Sequence, residues 1–235
     1  MNRNQIKRYQ RSETLLVAAL LAVAGGFLDA YTYLCRGGVF ANAQTGNMAL
    51  LGVHLAKGEW ASAGAYFIPV FSFFCGVLIT EVIKHHPLRR GRLHWRQLVV
   101  LLEIVILVAA SFIPCGDLNN VVNIMVSFVC ALQVESFRKV RGNPFASTMC
   151  TGNLRSGTEA LYHGIREHEG AKVEKSLCYY AIIFCFICGS AAGGILSRLD
   201  PQHAVLAAPA LQCVAFGIMC LEEEQEEEER REEAR

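Results

Sequence analysis

Apolar residues are grouped along this chain in six runs, separated by shorter polar segments. A membrane-spanning helix needs about 20 mostly apolar residues, and each run meets or nearly meets that length. The six predicted spans are residues 14–34, 60–83, 97–114, 118–137, 177–196 and 203–221. The pattern therefore predicts an all-α, polytopic membrane helix bundle, with the lipid bilayer as its first partner.

Two further segments share the tripeptide Thr-Gly-Asn. The first lies in residues 39–56, which are apolar enough to enter a membrane yet contain Asn42, Thr45 and Asn47. We expect a short re-entrant or interfacial segment in which Thr45 or Asn47 caps a helix over residues 48–56, because both side chains accept bonds from free backbone N–H groups. Such a helix start suits an anion or carboxylate. The alternative is a cap that only turns the chain.

The chain also contains an internal repeat. The sequence TGN occurs at residues 45–47 and again at 151–153, and at this offset of 106 residues Asp29 aligns with Glu135. Each half consists of a span, a TGN segment and two further spans. Because three crossings are an odd number, the second half is predicted to be inverted relative to the first, an arrangement common among secondary transporters.

This repeat divides the chain into four parts. They are a cytoplasmic arm at residues 1–13, a first three-span repeat at 14–114, a second at 115–221 and an acidic cytoplasmic tail at 222–235. The fifth span contains Gly189 and Gly193 in a small-xxx-small pattern, which predicts that two helix backbones approach each other closely.

Lysine and arginine define the predicted orientation. On the six-span topology 19 of them lie on one side, and three, Arg36, Lys57 and Arg198, lie on the other. The side rich in Lys and Arg is cytoplasmic, so both termini are predicted in the cytoplasm. A full crossing by residues 39–56 would move the basic loop after residue 83 to the outside, and we therefore do not count this segment as a span.

Composition excludes several other classes of protein. Apolar residues make up 53% and charged residues 18% of the chain, unlike a soluble domain. The net charge of +1 includes a tail with nine Glu and three Arg, and the remaining positive charges are spread between apolar runs, which argues against nucleic acid as a partner. Most of the ten cysteines lie in apolar runs as small hydrophobes, and a disulfide between Cys35 and Cys115 stays open.

No enzyme motif of the common kinds is present. The sequence contains no H-E-x-x-H, no G-x-S-x-G and no phosphate-binding glycine loop. His85 and His86 lie beside a proline in a basic loop, where a solvated pair is a simpler interpretation than a metal site. We therefore predict no catalytic residues, no metal and no cofactor.

The sequence GFLDAY at residues 26–31, followed by FANAQTGN at residues 40–47, resembles the YoaK family of bacterial multi-pass membrane proteins. The resemblance covers essentially residues 12–221 and leaves out the acidic tail. It implies a polytopic protein of the bacterial cytoplasmic (inner) membrane, in a family of unknown function whose members are often described only as uncharacterised proteins or as permeases. It supplies no substrate and no catalytic residues.

Ionisable groups inside spans are costly to bury, so each needs a physical reason. Asp29 follows two glycines in the first span, and its alternative role is that of an interfacial carboxylate near Arg36. Glu135 has Arg138 one helical turn further on, and Glu103 lies within the third span. The predicted substrate or ion pathway consists of Asp29, Asn42, Gln44, Thr45, Asn47, Glu135, Thr151 and Asn153.

The leading hypothesis is a small-molecule or ion transporter with its site at the interface of the repeats. The alternative is a membrane scaffold or accessory protein in which the repeat serves only packing, and a homo-oligomer fits either hypothesis. A transporter should contain a water-accessible polar cavity between its halves, whereas a scaffold should have paired polar groups and tightly packed halves.

Overall fold

The computed structural model of this protein describes residues 14–85 and 94–233, with side chains as far as residue 221. The predicted cytoplasmic arm and most of the basic loop after the second span lie outside the described residues. The α-helices are α1 (Leu15–Cys35), α2 (Gln44–Ala56), α3 (Trp60–His85), α4 (Trp95–Ser111), α5 (Asn119–Ser136), α6 (Cys150–Arg166), α7 (Gly170–Leu199) and α8 (Ala207–Glu233). A 3-10 helix (Ala204–Leu206) precedes α8, and an antiparallel hairpin, β1 (Lys139–Val140) and β2 (Asn143–Pro144), precedes α6.

A helix occupies each of the six predicted spans, and a further helix occupies each TGN segment. Among the described residues, four helices are long and apolar enough to cross a membrane: Leu15–Cys35, Trp60–His85, Gly170–Leu199 and Ala204–Leu221. α4 and α5 are shorter, with 17 and 18 residues. The chain is therefore an all-α membrane bundle, whereas the count of six crossings stays a prediction.

Polar caps and a glycine determine several helix ends. At the start of α1, Thr14 accepts a hydrogen bond from the N–H of Val17 at 3.4 Å. At the start of α4, His94 and Gln97 form reciprocal capping bonds. Gly58, with a φ of 73°, supplies the left-handed turn after α2. Because this turn reverses the chain, α2 and α3 pack against each other.

α1 is the central helix of the bundle. It packs against α7 and α8, and more than half of its residues are buried. α3 packs against α5, and α4 contacts both α5 and α8, while each short helix lies against the long helix that follows it, α2 on α3 and α6 on α7. α3 and α7 each leave about half of their apolar side chains exposed, as expected of surfaces that face lipid.

The contact between α1 and α7 depends on glycines from both helices. A Cβ atom at Gly189 would lie 2.0 Å from the carbonyl oxygen of Val23, and one at Gly26 would lie 2.0 Å from that of Phe186. Gly193, one turn further along α7, would bring a Cβ atom to 2.7 Å from a carbonyl oxygen of α1. The small-xxx-small prediction is confirmed, because the two backbones meet where no side chain fits.

The helix ends gather at opposite ends of the bundle. At one end, which we call the outer end after the predicted topology, the thiol of Cys35 lies 3.7 Å from the carbonyl oxygen of Ser197. At the inner end, Arg96 Nε of α4 donates to the carbonyl oxygen of Ser136 of α5 at 3.0 Å. All ten cysteines are free thiols, so Cys35 and Cys115 do not form a disulfide.

Candidate functional site

Two non-helical loops enter the bundle immediately before the TGN helices. Loop 1 (residues 36–43) joins α1 to α2, and loop 2 (residues 137–149) joins α5 to α6 through the hairpin. Ala41 and Asn42 in loop 1 and Ser147 in loop 2 are buried. Irregular backbone at membrane depth is tolerated only where protein or water satisfies it, so the partners of these loops define the candidate site.

Asp29 holds loop 1 against α1. Its carboxylate Oδ1 accepts a hydrogen bond of 2.9 Å from the backbone N–H of Asn42. The side chain of Asn42 donates through Nδ2 to the carbonyl oxygen of Gly25 at 2.8 Å. Both polar side chains are 6% exposed, and Asn42 Oδ1 has no hydrogen-bond partner among the described residues. One buried acceptor at this position is therefore available to a ligand or a water molecule.

α5 supplies the opposite wall. Ser127 Oγ donates to the carbonyl oxygen of Ala41 at 2.8 Å. The thiol of Cys130 lies 3.9 Å from the carbonyl oxygen of Asn42 and 3.7 Å from Thr148 Oγ1. Cys130 therefore contacts both loops, and it marks the point at which they meet.

Gln133 of α5 hydrogen-bonds loop 2, just as Asp29 of α1 hydrogen-bonds loop 1. Its Nε2 donates to Ser147 Oγ at 2.6 Å and to the carbonyl oxygen of Leu21, on α1, at 3.3 Å. Two helices and two loops thus meet at one buried position. We call its side chains the central polar cluster, none of them more than 9% exposed: Asp29, Asn42, Ser127, Cys130, Gln133, Ser147 and Thr148.

The asparagines of the two TGN sequences brace the loops that precede them. Asn47 Nδ2 donates to the carbonyl oxygen of Phe40 at 2.9 Å and to Gln44 Oε1 at 3.1 Å. Asn153 Nδ2 donates to the carbonyl oxygen of Ala146 at 2.7 Å. Each asparagine thus bonds the residue seven positions earlier, and both are buried. Their direct role is to fix the loops rather than to face solvent.

The TGN helices begin earlier than predicted. α2 and α6 each start one residue before the TGN sequence, so that the tripeptide lies inside the first turn. The prediction that Thr45 or Asn47 caps a helix over residues 48–56 is wrong, because α2 already includes both residues. Thr45 and Thr151 are exposed and lie outside the central polar cluster.

Glu135 also lies outside the cluster, at the inner end of the bundle. Its carboxylate forms ion pairs with Arg138 at 3.2 Å and with Lys84 at 3.8 Å. The offset of 106 residues pairs Glu135 with Asp29, but the side chain of α5 that donates hydrogen bonds to both loop 2 and α1 is Gln133. Two residues correspond to about 200° around a helix, so the alignment selected the opposite face of α5.

A cavity of about 340 Å³ lies at the outer end. Its walls come from loop 1, α2, α3 and the segment between α4 and α5, and its polar side chains include Arg36, His54, Tyr66, Asp117, Asn119 and Asn120. The cavity therefore lies between the two halves of the chain. It offers a cation, a carboxylate and amides to a small solute.

Arg36 is the buried cation of this cavity. Its Nε and Nη2 donate to the hydroxyl oxygen of Tyr31 at 2.8 and 2.6 Å, and Nη2 also donates to the carbonyl oxygen of Ile113 at 2.9 Å. Its Nη1 donates to the carbonyl oxygen of Pro114 at 2.9 Å and to Asn119 Oδ1 at 3.4 Å. These five bonds use all five N–H groups of a guanidinium, and they join the end of α1 to the segment between α4 and α5.

The cavity and the cluster lie along one face of α1. Arg36, Thr32 and Asp29 are three or four residues apart, which places them on the same side of a helix, and Asp29 lies about 10 Å below Arg36 at 1.5 Å per residue. Thr32 Oγ1 accepts a hydrogen bond from the N–H of Ala41 at 3.2 Å. The alternative that Asp29 is an interfacial carboxylate near Arg36 is wrong, because Asp29 is buried against loop 1.

Some buried polar residues are absent from the predicted site. Gln212 Nε2 donates to Glu103 Oε2 at 2.7 Å across the contact between α8 and α4, and Asn123 Nδ2 donates to the carbonyl oxygen of Arg36 at 2.8 Å. Glu103 can be singled out from the sequence, because it is a charged residue within a predicted span. Gln212 and Asn123 become recognisable only when the helices that face them are known.

Long apolar helices around buried polar loops define a multi-pass membrane protein. The chain belongs to the family described as Protein of unknown function (DUF1275), which matches residues 17–219. It is similar to the UPF0700 transmembrane protein YoaK of Bacillus subtilis (strain 168), with 25% identity over 208 residues that cover 86% of this chain and 90% of the relative. No solved structure matches the chain. The resemblance seen in the sequence is therefore confirmed.

Proposed function

We propose that this protein is a transporter or permease for a small molecule or ion, with its site at the junction of two inverted three-span repeats. The main support is the meeting of loops 1 and 2 at the central polar cluster. In many secondary transporters, unwound backbone between half-helices binds the substrate near the middle of the membrane. Here Asp29 and the unpartnered Asn42 Oδ1 are the candidate ligands for a substrate or ion.

The outer cavity supports an access route to this site. Its volume of about 340 Å³ lies within the range of small-molecule pockets. Arg36 lies between the cavity and the side chains of Thr32 and Asp29, and five hydrogen bonds hold its guanidinium group in this position. A solute would enter the cavity from outside and would reach Asp29 only after these bonds rearrange.

The helix contacts favour the inverted repeat. If α1 to α4 correspond to α5 to α8, exchanging the halves converts the contact of α1 with α7 into that of α5 with α3. The same exchange converts α2 on α3 into α6 on α7, and α4 on α5 into α8 on α1. The symmetry axis would pass between α4 and α8, which contact each other.

Glycines give a residue-level correspondence. A Cβ atom at Gly76 of α3 would lie 2.9 Å from the carbonyl oxygen of Phe128 of α5. In the same way, a Cβ atom at Gly189 of α7 would meet the carbonyl oxygen of Val23 of α1. The two glycines end the similar sequences FFCG and FICG. A rotation of about 180° about an axis in the membrane plane should superpose the halves.

The proposed orientation places both termini in the cytoplasm of a bacterium, with the bundle in the inner membrane. Lys57 lies at the end of α2 and Lys139 begins the hairpin of loop 2, and both are exposed. Single cysteines at these positions, in a background without native cysteines, should react with a membrane-impermeant maleimide from opposite sides. Labelling of both positions from one side would overturn the orientation.

Water access to Cys130 tests the transport proposal. A transporter must expose its central site to water during its cycle, so a variant that retains only Cys130 should react with a small charged methanethiosulfonate reagent in membrane vesicles. A variant that retains only Cys178 is the control, because this thiol is also buried, at 7% exposure against 3%, but lies outside the cluster. Severalfold faster labelling of Cys130 supports transport, whereas an inert Cys130 contradicts it.

Replacing Asp29 by asparagine should impair ligand binding more than replacing Glu81 by glutamine. Asp29 is buried against loop 1, whereas Glu81 accepts a bond of 2.8 Å from Lys84 at the half-exposed inner end of α3. The amide introduced by Asp29→Asn retains an acceptor oxygen for loop 1, so the fold should persist. The measurement is the thermal shift of each purified variant with a panel of amino acids, organic acids, nucleosides and inorganic ions. Equal, wild-type responses in both variants would remove Asp29 from the site.

A membrane scaffold without transport activity is the second candidate, and the contact between α1 and α7 favours it. Gly26 and Gly189 bring the two backbones together with no intervening side chain. Such close packing resists the relative movement of helices that alternating access requires. A scaffold should leave Cys130 unreactive and should give no thermal shift with any solute of the panel.

A further inference from the structure

A second buried carboxyl group lies away from the central polar cluster. Glu103 is fully buried where α4 packs against α8. Its Oε2 accepts the hydrogen bond of 2.7 Å from Gln212, and its Oε1 has no hydrogen-bond partner among the described residues. An ionised carboxylate at this position would be costly, because burial removes its hydration while a single neutral donor replaces it.

The side chain of Gln212 also contains an oxygen atom that lacks a hydrogen-bond partner in the region that the structure describes. It is fully buried, it donates through Nε2 to Glu103, and its own Oε1 has no partner within the described part of the chain. The two side chains therefore share one hydrogen bond and keep one unpartnered oxygen each. An ionised carboxylate only accepts, so it cannot satisfy an amide oxygen, whereas a protonated carboxyl supplies one O–H donor.

We propose that Glu103 and Gln212 form a proton-binding site, in which a neutral carboxylic acid and a carboxamide exchange two hydrogen bonds. The proton is bound to Glu103 Oε1, and this O–H group donates a hydrogen bond to Gln212 Oε1. In return, Gln212 Nε2 donates a hydrogen bond to Glu103 Oε2. One proton thus satisfies both unpartnered atoms and removes the charge. This site goes beyond the proposed transport function, because the pair can form in a transporter or in a scaffold.

The cations on the described helices around Glu103 are engaged elsewhere. Arg96, two turns earlier on α4, donates to the carbonyl oxygen of Ser136, and Lys84 pairs with Glu81 and Glu135 at the inner end. Among the side chains that the structure describes, the other titratable groups on the helices that pack against α4 are Cys130 on α5, Cys213 and Cys220 on α8, and Tyr66, Cys75 and His85 on α3.

The remaining surroundings of Glu103 also favour a neutral acid. The buried carboxyl group of α1, Asp29, accepts its hydrogen bond from loop 1. The 3-10 helix that packs on α4 consists of Ala204, Val205 and Leu206, all apolar. Since burial among apolar neighbours disfavours ionisation of a carboxyl group, these surroundings support the protonated form of Glu103.

The variant Glu103→Gln tests the neutrality of the pair. Glutamine has the shape of the protonated acid, and its amide can exchange two hydrogen bonds with Gln212, so the melting temperature should stay close to that of the wild type. Gln212→Leu is the matched contrast, because it leaves Glu103 without its partner and should lower the melting temperature clearly. A large loss of stability in Glu103→Gln contradicts the proposal.

Infrared spectroscopy detects the proton itself. The spectrum of the wild type minus that of Glu103→Gln, recorded in D2O at neutral pH, should contain a carboxylic-acid C=O band and no carboxylate bands. In Gln212→Leu the same acid band should move to higher frequency, because it loses its hydrogen-bond partner. A difference spectrum with carboxylate bands, or an acid region that Gln212→Leu leaves unchanged, would overturn the proton-binding site.

Discussion

Replacing Gly189 by alanine should destabilise the bundle by about 3 kcal/mol or more, at the upper end of the cost of overpacking. The added Cβ atom would lie 2.0 Å from the carbonyl oxygen of Val23. The obstacle is backbone, so no change of side-chain rotamer relieves it, and α1 and α7 must move apart. Because α1 is the central helix, the loss should appear as a markedly lower melting temperature of the purified protein in detergent.

Gly194→Ala provides the matched control on the same helix. A Cβ atom there would meet only Leu34 Cδ1, at an ordinary 3.9 Å. Since alanine favours a helix over glycine by about 1 kcal/mol, this variant should be as stable as the wild type or more stable. If Gly189→Ala behaves like Gly194→Ala, the close contact between the two backbones is incorrect.

The positions of the helices follow from the apolar runs, whereas their ends and neighbours do not. Each predicted span coincides with a helix, because an apolar run long enough to cross lipid must satisfy its backbone hydrogen bonds within the segment, and α3 remains one helix even with Pro69 inside it. The sequence predicts that α2 starts at residue 48, because threonine, glycine and asparagine commonly lie at helix ends. In the structure Asn47 bonds the carbonyl oxygen of Phe40 from inside the first turn, a tertiary contact that propensity does not contain.

The residues of the candidate site likewise fall into two groups, those that the sequence identifies and those that only the structure identifies. Asp29 and Asn42 could be singled out from the sequence, because a carboxylate and an amide are costly in an apolar segment. Gln133 and Gln212 could not be selected, because their roles depend on which loop or helix faces them. The mismatch between Glu135 and Asp29 has a related cause: loop 2 (residues 137–149) is longer than loop 1 (residues 36–43), so the offset that aligns the two TGN sequences does not align α1 with α5.

Removal of the Arg36 side chain should have an effect as large as that of Gly189→Ala. Arg36→Gln loses most of the five hydrogen bonds and leaves the carbonyl oxygens of Ile113 and Pro114 without this donor. Hydrogen bonds to a charged group contribute about 1.5–3 kcal/mol each, so the loss of most of them should cost about 3 kcal/mol or more. Arg36→Lys should recover only part of this loss, because an ammonium has three donors and lacks the planar fork.

Arg198→Gln is the control for this prediction. Arg198 lies at the same end of the bundle but is exposed, and exposed charges contribute little to stability, about 0–1 kcal/mol. The melting temperatures of the three arginine variants should therefore rank Arg198→Gln above Arg36→Lys and Arg36→Lys above Arg36→Gln.

If Arg36 also closes the route from the outer cavity to Asp29, Arg36→Lys should accelerate the labelling of Cys130 by reagent added from the outside. Faster labelling without loss of the folded state would connect the cavity to the central polar cluster, whereas unchanged labelling would confine Arg36 to a structural role.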